Sequence, residues 1–132
     1  MSKNLTTGVT PELNGSGQRI ALICARWNDV IVNRLENGAR EALVNAGVAE
    51  GDIVSIKVPG ALEIPIAMKA ALATGAFDAA IALGVVLRGD TYHFEVVSNE
   101  SASGVMRVGL DSGQVVTNGI LTVDTEAQAD ER

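Results

Sequence analysis

The sequence predicts an α/β fold: a three-layer α/β/α sandwich around a four-stranded parallel sheet. Three observations carry that prediction. Strand-like and helix-like segments alternate four times, which sends every strand in the same direction and places helices on both faces. Two of the strand-like segments, residues 19–25 and 79–86, are almost continuously apolar, the pattern of strands buried on both sides. The chain has 132 residues, enough for one compact domain and too few for two of ordinary size.

Taken in order, residues 1–18 are polar and Gly-rich and read as an arm outside the domain proper, which spans 19–132. Strand 19–25 is followed by a helix from about Val30. Ile31, Leu35, Ala39, Ala42, Leu43 and Ala46 fall on one helical face, with Arg34, Asn37, Arg40 and Glu41 away from it. Gly47 stands where a glycine ends a helix. Residues 52–58 alternate as a second strand, closed by Pro59-Gly60. A second helix starts near Glu63, with Pro65 tolerable in its first turn, and stops at Gly75. After strand 79–86, a third helix starts near Thr91 and carries His93, Val97, Ser101, Gly104, Val105 and Val108 on one side, up to Asp111-Ser112-Gly113. Residues 115–123 read as a fourth strand, although Asn118-Gly119 is also a hairpin-turn dipeptide. A hairpin there would leave two arms too short to matter, so a strand is expected. Thr125 and Gln128 have capping-box spacing for a fourth helix. That helix has hardly begun at Arg132, so the chain reads as short at this end compared with an average helix of about 11 to 12 residues.

Composition narrows the function. Hydrophobic residues make up 47% and charged residues 20%, which suits a folded domain rather than a disordered one. The net charge is −6 with 10 Lys+Arg, and no basic stripe offers itself to nucleic acid. No apolar run approaches a bilayer span, and residues 1–18 lack the apolar centre of a signal peptide, so cytoplasmic residence without a membrane partner is expected. The one cysteine, Cys24, lies in an apolar run and reads as a buried, inert thiol. With one Cys and one His, a Cys/His metal site is excluded by count, and no metal or cofactor is expected.

Ligands of open parallel sheets bind beyond the carboxyl ends of the strands. Those positions hold Arg26-Trp27-Asn28-Asp29, then Pro59-Gly60-Ala61-Leu62-Glu63, then Leu87-Arg88-Gly89-Asp90-Thr91-Tyr92-His93. The sole Trp and the sole His both fall in this set. Each has a plainer reading. Trp27 could cover a helix end, His93 could be a hydrogen-bonded structural residue, and Glu63 could simply complement a helix dipole. The stretch from Gly84 to Thr91 nearly has P-loop spacing, but Asp90 stands where the phosphate-binding lysine belongs, which rejects a nucleotide triphosphatase. What survives is a glycine turn whose backbone N–H groups at Gly89, Asp90 and Thr91 could meet a single phosphate, helped by the Thr91 hydroxyl.

Together, Trp27-Asn28, Pro59-Gly60-Ala61-Leu62-Glu63-Ile64-Pro65, Leu83-Gly84-Val85-Val86-Leu87-Arg88-Gly89-Asp90-Thr91-Tyr92-His93-Phe94, Asn118-Gly119-Ile120-Leu121-Thr122 and Glu126-Ala127-Gln128-Ala129 with Arg132 resemble the signature of the lumazine synthase family. The resemblance runs from Arg19 to Arg132 and implies a flavodoxin-like sandwich. It also implies a reaction: 5-amino-6-ribitylaminouracil condenses with 3,4-dihydroxy-2-butanone 4-phosphate to give 6,7-dimethyl-8-ribityllumazine, a step of riboflavin biosynthesis. The residue inventory agrees, because the attacking amine belongs to a substrate and the chain offers no Ser/His/Asp or Cys/His set. The protein's part is alignment and proton transfer.

Position by position, the resemblance implies that Trp27 stacks on the pyrimidine, that Asn28, Ala61, Leu62 and Glu63 line the ring and ribityl pocket, and that Val85 and Val86 read the uracil edge through their backbone. Gly89, Asp90 and Thr91 would bind the phosphate, Asp90 with its carboxylate outward, and Arg132 would be the cationic partner. His93 would transfer protons, and Asn118 would come from a neighbouring subunit. Homo-oligomers built from pentamers, up to hollow icosahedral shells of sixty subunits, are implied too, with riboflavin synthase as a further partner; residues 1–18, which have no packing partner within a four-strand unit, are expected to pair with a neighbour's exposed edge strand. A non-catalytic flavin-binding, lumazine-binding or shell-forming protein on the same fold is the alternative. A flavodoxin-like electron carrier ranks low, because the segment after the first strand is not a Ser/Thr-rich phosphate loop; a homologous riboflavin-forming enzyme is a further rival, one that a substrate panel would exclude.

Overall fold

The computed structural model describes residues 12–132. The chain runs β1 (Ile20–Ala25), α1 (Asp29–Asn45), β2 (Ile53–Val58), α2 (Ile64–Ala73), β3 (Ala79–Leu87), α3 (His93–Ser112), β4 (Val115–Val123) and α4 (Glu126–Glu131). Short 3₁₀ turns at Glu50–Asp52 and Ala61–Glu63 precede β2 and α2. Every strand pairing is parallel and the order is β2-β1-β3-β4. The alternation of elements thus produced the expected sandwich.

The two apolar runs became the central strands. All six residues of β1 are buried, because both of its faces are covered. Ala21, Ile23 and Ala25, with Ala80, Ala82 and Val86 of β3, face α2 and α3 through Ile64, Met68, Leu72, Val105 and Val108. Ile20, Leu22 and Cys24, with Leu83 and Val85, face α1 and α4 through Val32 and Ala129. Burial pushes the Cys24 thiol up to about 11, which suits the inert thiol expected of it.

The dipeptide Asn118-Gly119 stays inside β4, paired in register with Ala82 and Leu83. Its glycine has a packing reason: a Cβ at Gly119 would lie 2.7 Å from the Ala82 carbonyl oxygen. Between α2 and α3, a Cβ at Gly104 would lie 2.6 Å from Pro65 Cγ. An alanine at Gly104 would gain about 1 kcal/mol of helix propensity. Overpacking against the rigid proline ring should cost about 1–3 kcal/mol. Gly104→Ala is therefore expected to destabilise by about 1 kcal/mol net in chemical denaturation, and a stabilised variant would mean that α3 simply slides.

Helix α1 packs its predicted face on the core through Ile31, Leu35, Ala39 and Leu43, but its edges differ from the expectation. Val32 is its one fully buried side chain, and Ala42 is exposed. Arg40, expected outward, turns in: it donates to the Ile53 carbonyl at 3.3 Å and to Ser55 Oγ at 2.6 Å. Glu36 accepts from Ser55 Oγ at 2.6 Å and from Lys57 Nζ at 2.5 Å. Burial alone would raise the Glu36 carboxyl, but the hydrogen bonds from Lys57 and Ser55 outweigh it and hold it below the usual carboxylate range. The physical reason is that α1 packs over β1 and β3, and its flank toward the edge strand β2 meets polar partners rather than apolar ones.

Of the stretch assigned to an arm, residues 1–11 lie outside the described residues. Its inner part rests on the domain: the Gly15 N–H donates to the Ala46 carbonyl at 2.7 Å, and the Gln18 N–H to Gly15 at 3.0 Å. At the other end, Thr125 caps α4 as its spacing predicts, accepting from the Gln128 N–H at 3.2 Å.

Candidate active site

In this strand order the connections leave β1 and β3 in opposite directions, and a crevice opens between their carboxyl ends. The crevice is a cleft of about 530 Å³, within the usual range for small-molecule sites. Three loops build its walls, and short-range bonds fix their relation. After β1, the Arg26 N–H donates to Val58 at 2.8 Å and the Trp27 N–H to Pro59 at 3.1 Å, tying this loop to the one after β2. Asn28 sits at φ 61°, in the left-handed region, where Asn is among the few side chains tolerated. Its Nδ2 reaches the Val85 carbonyl at 3.4 Å, which binds the β1 loop to β3.

The loop after β2 turns at Gly60 into the 3₁₀ turn Ala61–Glu63. The Gly60 N–H donates to Glu63 Oε2 at 3.1 Å. The helix-end reading of Glu63 is therefore correct as far as it goes, and the same side chain also lines the cleft. Ala61 is buried beneath it, and Leu62 is exposed.

After β3, α3 begins at His93, two residues later than predicted, because Thr91 and Tyr92 form the turn that enters it. His93 is thereby the first helical residue, exposed and lining the cleft. The Thr91 hydroxyl accepts from the His93 N–H at 3.4 Å, a long contact. The N-cap residue Tyr92 makes no side-chain cap; its carbonyl accepts from the Glu95 N–H at 3.1 Å and the Val96 N–H at 3.3 Å.

The cleft gathers Trp27, Asn28, Ala61, Leu62, Glu63, Val85, Val86, Gly89, Thr91 and His93. Trp27 is 76% exposed, which a tryptophan packed over a helix end within its own chain would not be. Asp90 does not line the cleft, although Gly89 and Thr91 on either side do. Asn118 lies exposed on β4, with its Oδ1 accepting from the Ile120 N–H at 2.8 Å. Arg132 lines a separate groove between α1 and α4, with Ile31, Arg34 and Asp130. Within one chain, then, neither Asn118 nor Arg132 joins the cleft. Phe94 and Val97 do line it, unassigned from the sequence although both share the inward side of α3 with His93. No Lys or Arg is among the lining residues, and Glu63 is their one carboxylate. Among the described residues no group of three His, Cys, Asp or Glu could hold a metal ion, and no helix is long and apolar enough to cross a membrane.

The profile of the 6,7-dimethyl-8-ribityllumazine synthase family matches residues 17–132. A 6,7-dimethyl-8-ribityllumazine synthase of Ralstonia pickettii is 51% identical over 120 residues, covering 91% of this chain and 72% of that protein. Proteins of the same name from Cupriavidus metallidurans and Paraburkholderia phytofirmans are 49% and 48% identical, over 91% and 90% of this chain and 71% of each relative. With the fold, the cleft and these relatives in agreement, the chain belongs to the 6,7-dimethyl-8-ribityllumazine synthase family.

Proposed function

We propose that the protein condenses 5-amino-6-ribitylaminouracil with 3,4-dihydroxy-2-butanone 4-phosphate to 6,7-dimethyl-8-ribityllumazine, as a cytoplasmic transferase of riboflavin biosynthesis. The observation that carries this reading is one cleft with an aromatic wall at Trp27, a carboxylate at Glu63, an imidazole at His93 and a glycine turn at residues 89–91. The pyrimidine stacks on Trp27, and its edge meets the backbone of Val85 and Val86. Asn28, Ala61, Leu62 and Glu63 surround the ribityl chain, Glu63 accepting from its hydroxyls. The ketone phosphate lies against the N–H groups of Gly89, Asp90 and Thr91, in the turn ahead of α3.

The amine of the first substrate attacks the carbonyl of the second, so bond formation needs no protein nucleophile. Holding the two in contact supplies most of the acceleration. His93 moves protons to and from the oxygen and nitrogen atoms that change protonation as water and phosphate leave. Incubating the protein with both substrates and following lumazine absorbance and phosphate release tests the reaction. Tight lumazine or flavin binding without product would favour the non-catalytic alternative.

The site is completed by a second copy. A phosphate at the glycine turn has no cation from its own cleft, and Arg132 and Asn118 project elsewhere on the chain. A ring of copies, most simply a pentamer, brings these residues to a neighbour's cleft, and riboflavin synthase is its further partner. In the assembled protein, Arg132→Ala should remove most of the thermal protection that inorganic phosphate gives. Equal protection in both proteins would show that Arg132 does not reach the anion. Removing residues 1–11 should weaken assembly more than folding, and activity should fall with dissociation. A fully active monomer in analytical ultracentrifugation would sink the shared site.

A further inference from the structure

Arg88 follows β3 and touches three elements at once. Its backbone N–H donates to the Val123 carbonyl at 3.0 Å. Its Nε donates to Asp124 Oδ1 at 2.6 Å, at the end of β4, and its Nη1 to Glu95 Oε1 at 2.5 Å, in the first turn of α3. Its Cζ lies 4.2 Å from the centre of the Phe94 ring. Asp124 is itself fixed, its N–H donating to Gln128 Oε1 at 2.7 Å. The segment between Arg88 and Phe94 is therefore closed at both ends by one guanidinium. That segment holds Gly89, Thr91 and His93, and inside it the one side-chain bond is the long contact from the His93 N–H to Thr91.

We propose that Arg88 is the positioning residue of the phosphate-facing turn, fixing the path of residues 89–93 so that Thr91 and His93 meet the same reactant. This rests on the reaction proposed above. The alternative, an arginine that binds the phosphate directly, fits the geometry less well. Its Nε and Nη1 are engaged by carboxylates, the three side chains together carry a net charge of −1, and Arg88 is not among the residues lining the cleft. The bonds with Glu95 and Asp124 hold the guanidinium above its ordinary range, and the bond from Arg88 holds the Glu95 carboxyl below its own. Side-chain exposures of 46% for Arg88 and 32% and 58% for Glu95 and Asp124 make these surface pairs, which contribute little to stability. Their effect is on order. A short turn with few bonds of its own samples many paths, and misplacement by an ångström costs a reaction heavily.

The test is a steady-state comparison of the full-length assembled protein with Arg88→Met, Arg88→Lys, Glu95→Gln and Asp124→Asn, with inorganic phosphate affinity measured separately by calorimetry. Arg88→Met should raise KM for the ketone phosphate about 10-fold and weaken phosphate binding, while KM for the pyrimidine and the melting temperature stay near wild type. Arg88→Lys and the two single carboxylate variants should fall between, since each keeps one half of the tie. Glu95→Gln added to Arg88→Met should cost nothing more, as expected for groups acting through one interaction. Equal changes in both KM values would overturn the proposal and leave Arg88 a structural role. Tighter phosphate binding in Asp124→Asn would overturn it in favour of direct contact. If the wild type made no product yet phosphate affinity followed the predicted order, the proposed reaction would fall and the positioning role would stand.

Discussion

Replacing His93 by alanine is expected to slow turnover by about 10- to 100-fold, since general acid–base help is typically worth 10²-fold or more while substrate alignment survives. The protein should still fold. His93 is exposed, opens α3 without capping it, and its ring makes no hydrogen bond within the described residues. The core contacts of that helix, through Phe94, Val97, Val105 and Val108, are made by other side chains and stay in place. A structural histidine of the kind the sequence also allowed would be buried with a partner, and His93 is neither. Unchanged kcat and kcat/KM would return His93 to a bystander at the mouth of the cleft.

Much of this is legible in the sequence, and the reasons differ by element. The central strands announced themselves because β1 and β3 are covered on both faces, so nothing polar interrupts them. Strand β4 kept Asn118-Gly119 because the glycine backbone packs on Ala82, a contact 37 residues distant that outweighs a local turn preference. The apolar face of α1 was legible through Ile31, Leu35, Ala39 and Leu43, but periodicity counts apolar residues and so missed the seam with β2, made by Glu36, Arg40, Ser55 and Lys57. Strand-end motifs located the cleft, since sheet direction alone fixes where those loops gather. The resemblance already assigned Asn118 to a neighbouring copy, but no copy was implied for Arg132, whose placing outside the cleft could not be read from the motifs. The tie made by Arg88 was equally hidden: Asp124 and Glu95 are ordinary charged residues until the ends of β3, β4 and α3 converge.

Trp27→Ala is expected to weaken binding of the lumazine product by about 1–3 kcal/mol, the range for stacking of a base on an aromatic ring. By the same conversion that is roughly 5- to 150-fold in Kd. The size of the effect follows from what the ring is not doing in the free chain. At 76% exposure it has little packing to lose, so truncation should hardly move the melting temperature, and the loss should show in ligand affinity. The backbone at Trp27 is held independently of its side chain, by the bond of its N–H to Pro59, and the neighbouring turn by Asn28 to Val85. The alanine variant therefore keeps the loop and removes only the ring. Trp27→Phe should be mild, because a smaller aromatic face still stacks, whereas Trp27→Leu should resemble alanine more than phenylalanine despite its bulk. A titration of lumazine against the four proteins would separate a flat π surface from mere apolar area. Equal affinity for the leucine and phenylalanine variants would mean that area alone matters. An unaltered Kd in the alanine variant would mean that the pyrimidine does not rest on Trp27 at all.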